Sequence, residues 1–241
     1  MKTQSKKQKA ESRKGLGFWL VVLLALVVEM PTPSYGRSHG SVATGLDPTI
    51  TLRVFNYAGG TTGVIAKAER EAGYVFEQAG VSVLWWDCLA KNAEPGCTGP
   101  FGTYDLTLRI LPGEPKNEPG LPEDTFGFAL FPSAATVYSS RLEAHAASID
   151  ATLDYAALLG DVMAHEVGHL LLGPGHHSQT GIMQAHWQEQ TLRDGIKRML
   201  HFTPEQANRI RTEVSSRLEF HEDQLARTRT NGNAETSASV K

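Results

Sequence analysis

The 241-residue chain reads as an α+β domain: a mixed, twisted sheet of about five strands with one long buried helix and a C-terminal helix. Three observations predict it. Residues 49–86 spell strand, helix, strand. Three more short β-rich runs follow between 104 and 139. Residues 158–172 then form a helical run apolar on nearly every face. An apolar fraction of 41% against 20% charge suits a chain that buries a core.

The N-terminus looks like a targeting segment. Lys2, Lys6, Lys7, Lys9, Arg13 and Lys14 form a basic leader, Phe18–Val28 is an apolar run, and Pro31 and Pro33 break it. That run is short for a bilayer span and right for the apolar region of a signal peptide. We therefore expect a signal peptide over 1–36, the alternative being a retained membrane anchor, then a Gly-, Ser- and Pro-containing linker over 37–48. Residues 1–36 hold six basic and two acidic residues, net +4, so their removal takes the chain from −3 to −7. An acidic surface without a basic patch argues against a nucleic-acid partner.

The domain is expected over 49–222. Thr49–Ala58 alternates β-formers, and Gly59-Gly60 turns the chain. Val64, Ile65, Ala68, Ala72, Val75, Phe76 and Ala79 recur at helical spacing until Gly80, and Val81–Trp86 makes a second strand, parallel to the first. Cys88 and Cys97 close a small Pro/Gly loop, a disulfide if the protein is exported. Tyr104–Leu111 is a third strand, and 112–124 a Pro/Gly/Glu-rich loop. Thr125–Phe131 and Ala135–Ser139 follow as strands, the former at an edge because Pro132 ends it. Arg141–Asp150 reads as a link, with His145 on the surface. Residues 188–200 are weakly helical. Thr203-Pro204-Glu205-Gln206 opens a C-terminal helix with Ala207, Ile210, Val214 and Leu218 on one face, and 223–241 is a polar, disordered tail.

The chemistry sits in 154–183. His165, Glu166 and His169 form H-E-x-x-H inside Leu158, Leu159, Val162, Met163, Val167, Leu170, Leu171 and Leu172. One helical turn separates the two histidines, so both imidazoles point the same way. Sunk in a leucine-rich helix they need partners, and a tetrahedral zinc ion supplies them, with Glu166 placed to handle the proton of a bound water. Gly173, Pro174 and Gly175 end the helix, and His176, His177 and Gly181-Ile182-Met183 come at once. A third nitrogen from either histidine leaves one coordination position open, as in a catalytic zinc site.

This stretch resembles the metzincin zinc peptidases, which carry H-E-x-x-H-x-x-G-x-x-H and then a Met-turn. The register differs: Gly173 lies four residues after His169 where that family has three, and the histidines seven and eight after it where the family has six. The resemblance implies a metzincin-like zincin fold and one catalytic Zn2+. It implies His177 as third ligand, with His176 the competitor, Glu166 as general base, and Met183 as a turn beneath the histidines that does not touch the metal. It also implies a secreted or periplasmic endopeptidase acting on a peptide or protein that pairs with an edge strand at Phe126–Leu130. A gluzincin-like alternative would use Glu189 instead. His186 and Trp187 either shape the pocket wall or, as expected here, cover the core. A monomer is expected, with no membrane partner unless the leader is retained. A non-catalytic zinc-stabilised binding domain and a zinc hydrolase of non-peptide amides are the other functions this pattern allows.

Overall fold

Ile50, Leu52 and Val54 leave the first strand on one side, and Leu106, Leu108 and Ile110 leave its neighbour on the same side. All six are fully buried, and this shared apolar face decides where the helices go. The computed structural model describes residues 48–89, 93, 95–102, 105–113, 122, 125–218 and 220. The proposed leader, residues 37–47 of the linker, most of the 112–124 loop and the tail lie outside the described residues.

The order is β1 (Thr49–Asn56), α1 (Thr62–Gln78), β2 (Ser82–Asp87), β3 (Asp105–Leu111), β4 (Gly127–Leu130), β5 (Ala134–Tyr138), α2 (Ser139–Ile149), α3 (Tyr155–Leu172), α4 (Glu189–Gly195) and α5 (204–218). The five strands form one mixed sheet in the order β2-β1-β3-β5-β4. Four run parallel and β4, at the edge, runs antiparallel to β5 with Gly127 opposite Val137 and Ala129 opposite Ala135. The opening strand-helix-strand unit and the edge position of β4 match the sequence reading.

Helices α1 and α3 pack together over the sheet, α1 through Ile65, Ala68, Ala72, Val75 and Phe76. Helix α3 buries nearly every residue, as a run apolar all round must. Asp154 caps its start by accepting from the Ala157 amide at 3.3 Å and pairs with Lys67 of α1. Gly173 stops it with φ of 90°, a left-handed conformation that side chains resist. Helix α5 opens with a reciprocal cap. Gln206 donates its amide to Thr203 Oγ1 at 3.3 Å, while its Oε1 accepts from the Thr203 amide at 3.0 Å.

Two expectations need correction. Residues 141–150, read as a link, fall mostly in α2, whose buried stripe is only Ser139, Leu142 and Ala146, too small to give a clear period. His145, expected on the surface, is half-buried there, its ring 5.1 Å from that of Phe126. Cys88 and Cys97 are joined as expected. The segment that follows Cys97 is held on the back of the sheet by buried Arg53, which donates to the carbonyls of Gly99 at 2.9 Å and Pro100 at 2.6 Å and pairs with Asp105. Among the described residues, no helix is long and apolar enough to cross a membrane.

Candidate metal centre

Helix α3 supplies His165 and His169, one turn apart on its edge towards β4, and the turn after Gly173 brings His177 back over them. Nε2 of His169 lies 3.2 Å from Nε2 of His165 and 3.1 Å from Nε2 of His177. All three ligand atoms fall within 4.8 Å of one another, the one such group of His, Cys, Asp or Glu among the described residues. Nitrogens about 2.0–2.1 Å from a common zinc ion at tetrahedral angles stand roughly 3.3 Å apart, which matches the two spacings of His169.

The protonation pattern fits as well. His165 Nδ1 donates to the Ile182 carbonyl at 2.7 Å, which fixes the tautomer and leaves the Nε2 lone pair facing the cluster. Burial lowers the His165 pKa to about 3 and the His169 pKa to about 4, with the neighbouring imidazoles adding to it. His177 is lowered too, by burial and then by His186. All three are thus neutral at pH 7, the form in which an imidazole ligates.

The turn is pinned from below. The Ser178 amide donates to the Met183 carbonyl at 2.8 Å, and the Ile182 amide donates to the His201 carbonyl at 2.9 Å. Met183 is fully buried, and its sulfur lies against Gly168, where a Cβ would stand 2.8 Å from Sδ and from Phe202. It supports the helix segment between the two histidines without belonging to the cluster. His176 faces elsewhere: its Nδ1 donates to the Gly173 carbonyl at 3.0 Å, and its own carbonyl accepts from Gln206 at 3.3 Å. Glu189 starts α4, exposed and paired with Arg193 at 2.9 Å, apart from the three imidazoles.

Glu166 is 6% exposed and lines the same cleft as the histidines, a space of about 400 Å3 between α3 and β4. Burial alone pushes its pKa up to about 8. Phe126, Phe128, Phe131, Val162 and Trp187 make the cleft walls largely apolar. His186 and Trp187 both line this wall; Trp187 also packs in the core as expected, with its ring edge-on to His165 at 5.9 Å. The resemblance put the strand Phe126–Leu130 above the cleft, but sequence reasoning did not find Phe131 as a cleft residue, because an exposed aromatic in a turn carries no spacing signal.

No protein-family model matches the chain, and no curated protein matches it. Solved structures with a similar backbone include archaemetzincin from Methanopyrus kandleri, at 20% identity over 71% of this chain and 99% of that one with a TM-score of 0.44. Another is a zinc-dependent peptidase from Methanocorpusculum labreanum, at 19% identity over 66% of this chain and 99% of that one, also with a TM-score of 0.44.

Proposed function

We propose that this domain is a secreted zinc-dependent endopeptidase in which His165, His169 and His177 hold one catalytic ion and Glu166 is the general base. The observation that carries the reading is the convergence of three neutral imidazole nitrogens beside a buried carboxyl group in one open cleft. When bound, zinc lowers the pKa of a coordinated water, polarises the scissile carbonyl and draws the neighbouring carboxyl toward its ionised form.

The chain's own groups do the rest. Ile182 O holds the His165 ring in orientation. Glu166 accepts a proton from the attacking water, and its apolar surroundings raise its proton affinity enough to keep that proton until the leaving nitrogen takes it. The apolar walls exclude bulk water from the exchange, and β4 at the sheet edge offers backbone groups beside the cleft on which an extended peptide can lie as an added strand. Export is supported by the basic-then-apolar leader of the sequence and by the Cys88–Cys97 disulfide.

The test is metal analysis of protein purified without chelator, together with peptide turnover by wild type and Glu166→Gln. We expect about one zinc per chain in both proteins and a turnover loss of about 10²- to 10⁴-fold in the variant. Wild-type protein without zinc overturns the assignment, and full turnover by Glu166→Gln removes the base from it. N-terminal sequencing of exported protein is expected to begin after Gly36.

A further inference from the structure

We infer that Gly127 is a positioning residue for Glu166: the absence of a side chain on β4 at this point lets the carboxyl group stand where it faces the three histidines. The inference rests on the reading of Glu166 as general base. Opposite residues of β4 and β5 share a face, so Gly127 and Ala129 lie on the same side as Val137 and Ala135, the side on which the core is buried. The inner strands carry Leu52, Val54, Leu106, Leu108 and Ile110 on that side, while β4 presents only a hydrogen and a methyl.

The consequence is local and specific. A Cβ at 127 would stand 2.8 Å from Glu166 Cγ and 2.8 Å from Glu166 Oε1, and 2.5 Å from the Thr136 carbonyl oxygen. The Thr136 oxygen belongs to the paired strand and cannot retreat, whereas Glu166 can turn about its side-chain torsions. The contacts with Glu166 would be relieved by turning the carboxyl group out of its place, and the contact with the Thr136 oxygen by β4 drawing back from β5. None of the three atoms nearest that methyl belongs to His165 or His169, and the ligand set is expected to stay.

The experiment is Gly127→Ala in the full-length protein, assayed for zinc content, melting, kcat and KM, with crystal structures of wild type and variant. We expect zinc retained, KM within about threefold and kcat lower by about 10²-fold, the size of effect that a misplacement near 1 Å produces. Glu166→Asp, which withdraws the carboxyl by one methylene, is expected to cost wild type about tenfold or more and the Gly127→Ala protein much less, so that the two changes are strongly non-additive. Unchanged kcat in Gly127→Ala, or additive losses in the double variant, overturns the inference and leaves the peptidase reading standing. If wild type turns over no peptide, that reading fails, and the crystal structures still decide this one: an unmoved Glu166 in the variant refutes it. Should Gly127→Ala melt too low to purify, a wild-type crystal structure with the carboxyl turned away from β4 refutes it equally.

Discussion

Asp161 sits four residues before His165 on α3, 4% exposed, with one carboxyl oxygen that finds no hydrogen-bond partner among the described residues and lies against Gly195 of α4. Burial raises its pKa to about 8, and Glu71 of α1 adds to the shift through its charge. Glu71 itself is held by Arg198, whose guanidinium donates to both its oxygens at 2.7 and 2.9 Å. Below about pH 4 both folded and unfolded chains hold the proton and Asp161 costs nothing. Between about 4 and 8 the unfolded chain releases it while the fold keeps it, so stability falls as pH rises, and above about 8 the penalty is constant. Asp161→Asn keeps the shape and removes the titration. It is expected to melt higher than wild type, by a margin that grows from pH 5 to pH 8 and then levels off. Melting curves across that range check it, and a margin independent of pH would show that Asp161 is ionised in the fold. The same scale shows what spacing can and cannot reveal. The i, i+4 histidines were legible because helical geometry alone makes them neighbours. The choice between His176 and His177 was not, since it turns on the Gly173 carbonyl engaging one ring and on the left-handed turn that swings the next.

At the level of elements, α3 is legible from its composition alone, because no solvated helix carries so many leucines. Its start was less so, and Asp154 does two jobs there. It accepts from the Ala157 amide and it binds Lys67, whose hydrogen bond is the largest cause holding the Asp154 pKa below its usual value. A depressed carboxyl stabilises the fold above the unfolded value of about 4, and that contribution is lost as pH falls through the folded value. Asp154→Ala is expected to cost about 1 kcal/mol at pH 7, the usual worth of an N-cap, and progressively less on acidification below pH 4. Urea unfolding at pH 7 and pH 3 measures both. Zinc content stays at the wild-type level, because the cap lies three turns from His165. Helix α2 escaped the sequence reading for the opposite reason to α3. Its buried positions are a serine, a leucine and an alanine, so it is a helix by packing against its neighbours more than by pattern. The half-burial of His145 follows from it.

Across the whole domain, the cluster adds a tie between parts of the chain already joined through the core and by hydrogen bonds such as that from His165 to the Ile182 carbonyl. His165 and His169 come from the helix that lies on the sheet. His177 comes from a turn fastened to the C-terminal part of the domain through Ile182 to His201 and through Gln206 to His176. Helix α5 returns the connection, with Arg209 and Arg217 donating to the carbonyls of Leu172 and Leu170 at 3.2 Å each. A cation that joins the three imidazoles therefore binds the folded chain far better than the unfolded one, and its binding energy becomes stability. At free zinc a thousandfold above Kd the gain is about 4 kcal/mol, which for a chain of this size raises Tm by roughly 10 °C. Adding EDTA is expected to lower the Tm of wild type by that order, and restoring zinc to recover it. His177→Ala should melt near the EDTA value whether or not EDTA is present, since two histidines on one helix hold the ion without closing the turn. His176→Ala should keep most of the zinc-dependent rise, because its ring contacts the Gly173 carbonyl and not the cluster. A Tm indifferent to both chelator and zinc would mean that the three nitrogens are brought together by packing alone.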